Sequence, residues 1–512
     1  MPRLASYGRL IGVAWVLVRA DALAPREIDP LLPAGARTLA RFLRLFRGRE
    51  ARTGRPGERL AGALERLGPV GIKLGQFLST RADIFGAEFA GDLSRLKDRL
   101  PPFALDVAKA EVAAALGRPL ETVFSSFEEA LGSASLAQAH RATLAGGGKP
   151  VAVKVLRPGI EARVAADSDA LRASAGLAEA WAPPARRLEP AAFAETVIRA
   201  LELELDLRFE AAGADELRAV MAADGYMRAP PVVWTGVARR VLTLEWASGT
   251  PLSDPAALAM PGLDHKRLAD NVIRAFLAQA LDHGVFHADL HEGNLFVQAP
   301  ARLTAVDFGI VGRLGPAERR YLAEILWGFI RRDYARISKV HFDAGYVPGH
   351  HDPAAFAQAL RAVGEPVIGA RASDVSMGRL LSQLFEITAL FDMRLRPELV
   401  LLQKTMVTVE GVARRIDPEH DIWAAAEPVV ARWIARELSP AASLRDLVRD
   451  GRAALSALAR LAERDEPTEA VPAPAPEPAQ SATHPAVWFF AGAAVSAIAF
   501  SLAVLFRLVG AR

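Results

Sequence analysis

Apolar positions change their spacing along the chain, and each change marks a division. Up to residue 60 they recur at helical spacing among arginines: Leu39, Phe42, Leu43, Leu45 and Phe46 interleave with Arg37, Arg41, Arg44, Arg47 and Arg49. Such a mixture suits a solvated helix face or a helix lying on an anionic leaflet. Residues 61–120 predict further helices, interrupted at Pro101 and Pro102. From about 121 the period falls to two. Phe124 to Leu144 and Val151 to Leu156 alternate and carry β-branched residues, with Gly146, Gly147 and Gly148 as the turn between strands. This opens a mixed α/β region that runs to about 320, and helical patterns fill 316–465. Glu466 to Pro485 contains Pro472, Pro474, Pro476 and Pro478 and predicts an extended linker. No internal repeat is visible.

Beyond the linker, Val487 to Phe506 holds no charged residue. A helix of about 20 residues matches a hydrocarbon core of roughly 30 Å, so residues 486–508 are expected to form a transmembrane helix. The apolar stretch Leu10 to Val18 is too short for that, and Arg19 and Asp21 end it without a cleavage pattern, so no secretory signal is expected.

Composition narrows the chemistry. The chain has 512 residues, 51% of them hydrophobic, enough for two or three domains. A net charge of +3 gives no reason to expect a nucleic-acid partner. There is no cysteine, which excludes disulfides, thiolate metal sites and cysteine nucleophiles.

Candidate chemistry lies in separated elements that follow one order. Val151-Ala152-Val153-Lys154 sits in an alternating strand, where a fixed ammonium can offset the charge of ATP phosphates. Much later comes His287-Ala288-Asp289, with Asn294 five residues after the aspartate, the spacing of a kinase catalytic loop. Asp307-Phe308-Gly309 follows the apolar strand Leu303 to Val306, placing a carboxylate where Mg²⁺ would bridge phosphates. Any one of these is weak. Together they predict an α+β, protein-kinase-like two-lobed fold, with a smaller lobe over about 121–247 and a larger one over about 248–465.

The nucleotide lid departs from the glycine-rich pattern: Gly132-Ser133-Ala134-Ser135-Leu136-Ala137 keeps only its first glycine. A Cβ at Ala134 and Ala137 limits how closely the backbone approaches phosphates. The helix after the lysine strand is expected to supply an acid partner for Lys154. Glu204, Asp206 and Glu210 lie in a predicted helical run, 201–218, where the two glutamates do not share a face. His283, His287 and His291 recur every four residues, but the loop after Gly284 is not expected to be helical, so this is not read as a metal site. A flavin or nicotinamide enzyme would want G-x-G-x-x-G between strand and helix, and none is present.

At these residues the chain resembles the UbiB family of atypical kinases, through a K-x-G-Q element, Lys73-Leu74-Gly75-Gln76, ahead of the kinase-like region. Leu96 to Phe103, Ser133 to Gln138, Glu204 to Glu210, Arg396-Pro397-Glu398-Leu399 and Glu410-Gly411-Val412 extend the similarity over roughly 60–420. The resemblance implies that helices over 61–120 fold across the active site, that Lys73 points into it and meets Glu204, and that Glu210 pairs with Lys154. It implies ATP and Mg²⁺ as cofactors. The expected catalytic residues are Asp289, Lys154 and Lys73, and the expected metal ligands Asn294 and Asp307. Gly132, Ser133, Ala134, Ser135, Lys154, Glu204, Glu210 and Glu245 form the expected nucleotide-binding set. Leu290 and Glu292 replace two prolines usual in the family loop, and Gly132 stands where alanine is commoner.

Three activities compete on this reading: an ATPase supporting ubiquinone biosynthesis, a protein kinase acting in trans, and a silent nucleotide- or lipid-binding scaffold. No Ala-Pro-Glu segment closes an activation loop after Gly309, which disfavours the second. Lys154, Asp289, Asn294 and Asp307 are all present, which disfavours the third. The expected partners are ATP, membrane lipids, quinone precursors and other quinone-biosynthesis proteins. The expected location is the bacterial inner membrane, with the kinase-like domain on the cytoplasmic side where ATP is found.

Overall fold

The computed structural model describes residues 4–22, 25–26, 34–48, 54–79, 86–93, 95–96, 100–181, 189–366, 387, 390–393 and 397–437. The expected linker and transmembrane helix lie outside these residues. Among the described residues no helix is long and apolar enough to cross a membrane.

Among the described residues five α-helices come first: α1 Leu4–Arg19, α2 Ala34–Leu43, α3 Pro56–Leu67, α4 Pro69–Ser79 and α5 Ala87–Leu93. Pro56 occupies the start of α3, where a missing N–H costs nothing, and the Glu58 carboxylate takes the Arg55 N–H at 2.9 Å. Helix α3 therefore runs across the expected division at residue 60. Helices α3 and α4 touch almost backbone to backbone. A Cβ on Gly71 would strike the Leu64 carbonyl, and one on Gly75 would strike the Leu96 and Leu64 side chains. The glycine of the K-x-G-Q element thus owes its place to packing.

Helix α6, Leu105–Leu116, leads into a sheet of β1 Phe124–Ser133, β2 Ala137–Leu144 and β3 Pro150–Leu156. Helices α7 Ile160–Trp181, α8 Pro190–Glu204 and α9 Leu207–Asp224 come next, before β4 Val241–Glu245 completes the antiparallel order β1-β2-β3-β4. Alternation along β3 sets the chemistry. Val151, Val153 and Val155 are fully buried against Ala108 and Val112 of α6, together with Phe124, Phe127 and Val241. Each such side chain contributes about 1.5–3 kcal/mol. With a period of two, Lys154 must then face the other side of the sheet.

The predicted helical run 201–218 is broken. Asp206 adopts an extended backbone, φ −126° and ψ 94°, and its side chain accepts the Arg208 N–H at 3.1 Å, capping α9. An aspartate that bonds locally offers the chain an exit from the helix. Glu204 therefore ends α8, whereas Glu210 begins α9. Among the described residues, the acids come from α8 and α9 and not from α7, the helix that follows the lysine strand.

The second lobe holds β5 Thr250–Pro251, α10 His265–Ala278, β6 Val285–His287, β7 Leu295–Gln298, β8 Arg302–Ala305 and β9 Val311–Arg313. Strands β5, β7 and β8 form one small sheet, and β6 pairs with β9. Helices α11 Pro316–Arg331, α12 Tyr334–Asp343, α13 Pro353–Gly364, α14 Pro397–Ile416 and α15 Ile422–Glu437 follow. Helix α10 is the axis of this lobe: Leu268, Val272, Ile273, Phe276 and Leu277 are buried, and α14 and α15 pack against it. One apolar core runs from Val70 of α4 through α8, α9 and α10 to Trp433 of α15.

Candidate nucleotide site

Lys154 projects from β3 into the cleft between the lobes and meets two carboxylates. Its Nζ lies 2.8 and 3.0 Å from the two oxygens of Glu210, in the first turn of α9, and 3.1 Å from Asp307 Oδ1. A helix N-terminus is a favourable place for the Glu210 carboxylate. Burial opposes the Lys154 charge, yet Asp307 and Glu210 together outweigh it and hold the ammonium above its ordinary range. The Lys154 charge holds Asp307 down to about 2. Burial pushes Glu210 up to about 7 against the pull of Lys154.

Two loops carry the remaining groups. The chain between β6 and β7 brings Asp289 and Asn294, and the chain between β8 and β9 brings Asp307. His287, buried completely, ties the two together. Its Nδ1 accepts the Asp289 N–H at 3.1 Å, which leaves Nε2–H to donate to the Val306 carbonyl at 3.1 Å. Burial lowers its pKa, in keeping with this neutral tautomer. The Asn294 amide donates to the Asp289 carbonyl at 3.0 Å, turning its own oxygen away from that contact. Asp307 itself sits in the left-handed region, φ +61°, a strained backbone for a non-glycine residue.

The K-x-G-Q helix closes over this arrangement. Lys73 of α4 forms an ion pair with Glu204 at the end of α8, and Phe77 stacks edge-on against Phe193 with centroids 6.5 Å apart. Glu204 is close enough to Glu210 for its charge to disfavour ionisation there. Charges therefore run in one string from Lys73 through Glu204, Glu210 and Lys154 to Asp307.

The lid is the β1–β2 turn. Ala139 pairs with Lys154 and Ala137 with Leu156, so Gly132, Ser133, Ala134 and Ser135 stand just beyond the lysine along the sheet. Arg157, one residue past β3, donates to Ser133 Oγ at 2.5 Å and to the Ala134 carbonyl at 3.0 Å. Leu100 of the extension donates to the Ser133 carbonyl at 3.3 Å. Glu245, the remaining residue of the expected nucleotide-binding set, ends β4. It pairs with Val151, three residues from Lys154 and so about 10 Å along the strand, and it accepts from Lys149 at 3.1 Å.

Three contributors escaped the sequence reading. Arg157 carries no signal beyond its place after the lysine strand. Thr405, buried in α14, bonds to the Ala288 carbonyl at 3.1 Å. Arg415, also on α14, forms an ion pair with Glu292. A salt bridge thereby fastens the loop at Glu292. The histidines spaced by four are occupied separately: His283 with Asp224, His287 between the two loops, and His291 as acceptor from the Gly293 N–H.

Comparison with known proteins agrees with this geometry. Residues 95–341 match the ABC1 atypical kinase-like domain, and 360–421 match the UbiB helical domain. The chain is 39% identical over 389 residues to a "Probable protein kinase UbiB" of Shewanella loihica, covering 75% of this chain and 71% of that one. A protein of the same description from Pseudomonas paraeruginosa is 38% identical over 453 residues, covering 87% and 84%. Among solved structures, the Mycobacterium tuberculosis protein Rv3197 in complex with erythromycin shares the fold. The TM-score is 0.51 at 21% identity, over 70% of this chain and 90% of that one. With the paired lysines in place and relatives matched over most of their length, the chain belongs to the UbiB family of atypical kinase-like proteins.

Proposed function

We propose that this protein is an atypical kinase-like ATPase that binds MgATP and supports ubiquinone biosynthesis at the membrane. The observation that carries the reading is the convergence of Lys154, Glu210 and Asp307 from three distant parts of the sequence. Lys154 would hold phosphate oxygens, and Glu210 fixes the reach of its side chain. The Asp307 carboxylate and the Asn294 amide oxygen are hard oxygen donors of the kind Mg²⁺ takes, and half of the Asp307 side chain is exposed to the cleft. Mg²⁺ would neutralise charge on the transferring phosphate. Asp289, whose backbone is held by His287 and Asn294, would orient the attacking water or acceptor hydroxyl. The helix carrying Lys73 covers the cleft where a peptide would otherwise dock, which favours a small acceptor over a protein in trans.

The membrane part of the reading rests on the sequence of the C-terminal apolar segment and on one surface feature. Ile11, Trp15, Phe42, Leu45 and Phe46 are exposed, and the Trp15 and Phe46 rings lie 5.9 Å apart. Phosphate release by the full-length protein, with and without anionic lipid and a phenolic quinone precursor, tests the proposal. Stimulated, Mg²⁺-dependent release that is lost in Asp307→Asn supports it. Release unchanged by Asp307→Asn removes the mechanism.

A further inference from the structure

The loop between α12 and α13 presents His350 and His351 to Asp392, ahead of α14. We propose that these three side chains form a binding site for one transition-metal ion of the Zn²⁺ class, stapling the loop to that segment.

The geometry carries the assignment. One ligand atom from each residue lies within 4.8 Å of the other two. His351 Nε2 is 3.1 Å and His350 Nε2 3.7 Å from the same oxygen, Asp392 Oδ2. In a tetrahedral zinc site with ligand bonds of about 2.0–2.2 Å, neighbouring ligand atoms stand roughly 3.3–3.5 Å apart. The two observed separations straddle that value. The two imidazole rings lie next to each other, centroids 4.2 Å apart and tilted by 37°.

One of the three ligand residues packs against the core, and a second follows a core residue in the chain. The His351 ring lies 5.3 Å from Phe391, and Phe391 is buried against Phe356 at 4.9 Å, within the cluster that includes Tyr334 and Val347. His350 and Asp392 are exposed, which leaves a path for the ion and room for water as a fourth ligand. Two nitrogens and one oxygen make a borderline set, suited to Zn²⁺, Co²⁺ or Ni²⁺ and poor for Mg²⁺, which prefers oxygen. The site is thereby distinct from the one that would hold Mg²⁺ beside Asp307. The ion would join residues 41 positions apart in sequence and close a loop of that length. This inference does not depend on the proposed ATPase activity.

The test uses untagged full-length protein in detergent, stripped with a chelator and titrated with Co²⁺ in millimolar Mg²⁺. The expected result is one Co²⁺ per chain, with the intense visible absorption of a tetrahedral site, displaced by Zn²⁺. Asp392→Asn and His350→Ala should each weaken binding at least about tenfold, in line with the loss of one ligand. The variant with His350→Ala and His351→Ala should show no tetrahedral spectrum. Zn²⁺ should raise the melting midpoint of the wild type and not that of this double variant. His350 is exposed, so His350→Ala alone keeps the test meaningful if the double variant folds poorly. Spectra or affinities unchanged by His350→Ala and Asp392→Asn overturn the proposal, as does the absence of a saturable tetrahedral site.

Discussion

The cleft contains two lysine–glutamate pairs that look alike and are built differently. Lys154 and Glu210 join a strand to the first turn of a helix, and Asp307 adds a third charge. Lys73 and Glu204 join the covering helix to the end of α8, with no third hydrogen-bond or ion-pair partner among the described residues. The inner lysine balances two carboxylates at the site proposed to hold phosphate. The outer lysine balances one and holds the cover down. On the proposed function, the inner charge would exchange carboxylates for phosphate and serve chemistry, whereas the outer pair would serve closure.

Exchanging each lysine for methionine separates these roles most sharply. Lys154→Met should lower Mg²⁺-dependent phosphate release at least about 100-fold, the scale of losing an electrostatic contact to transferring phosphate. Lys73→Met should cost about tenfold or less, because it reaches the nucleotide only through Glu204 and Glu210. Equal losses in the two variants would erase the distinction. Steady-state phosphate release measures both.

Packing gives the next contrast. Gly75→Val would drive a side chain into Leu96 and Leu64 and should destabilise the protein by about 1–3 kcal/mol, lifting the cover. Gly132→Ala meets no atom within 4 Å and should change stability by less than about 0.5 kcal/mol. Denaturant titration distinguishes the two. A harmless Gly75→Val would mean that α4 does not need its close approach to α3.

The two carboxylates around Lys154 also titrate in opposite senses. Glu210 is raised from 4.5 to about 7, so its contribution to stability is present below about 4.5 and is lost as pH rises through 7. Asp307 is lowered from 3.8 to about 2, so its contribution is present above about 3.8 and is lost as pH falls through 2. The stability of wild type relative to Glu210→Gln should therefore fall between about pH 4.5 and pH 7, on the order of 3 kcal/mol, and then level off. A difference that stays constant over this range contradicts the raised pKa. Last and smallest, Arg415→Ala should reduce turnover only a fewfold, since His287, Asn294 and Thr405 still hold the loop that carries Asp289.

The same contrast explains what was legible in the sequence. Lys154, Asp289, Asn294 and Asp307 were readable because strand alternation and fixed loop spacing place them. Lys73 was readable only through family resemblance; by itself it is one lysine on a helix. The break between Glu204 and Glu210 was missed because an aspartate cap and a helix-interior aspartate look the same until the chain turns. Arg157, Thr405 and Arg415 left no pattern. Each acts across a distance that folding alone decides, as with Thr405, which reaches a carbonyl 117 residues away. Glu245 stands at the other end of its strand because the antiparallel register pairs it with Val151, and only the pairing reveals that.

Calorimetric titration of the full-length protein with ATP, in detergent and with or without Mg²⁺, tests the central claim most directly. The account predicts one saturable site per chain, tightened by Mg²⁺ in the wild type and not in Asp307→Asn. No affinity for ATP, or affinity indifferent to both Mg²⁺ and Asp307, would contradict it.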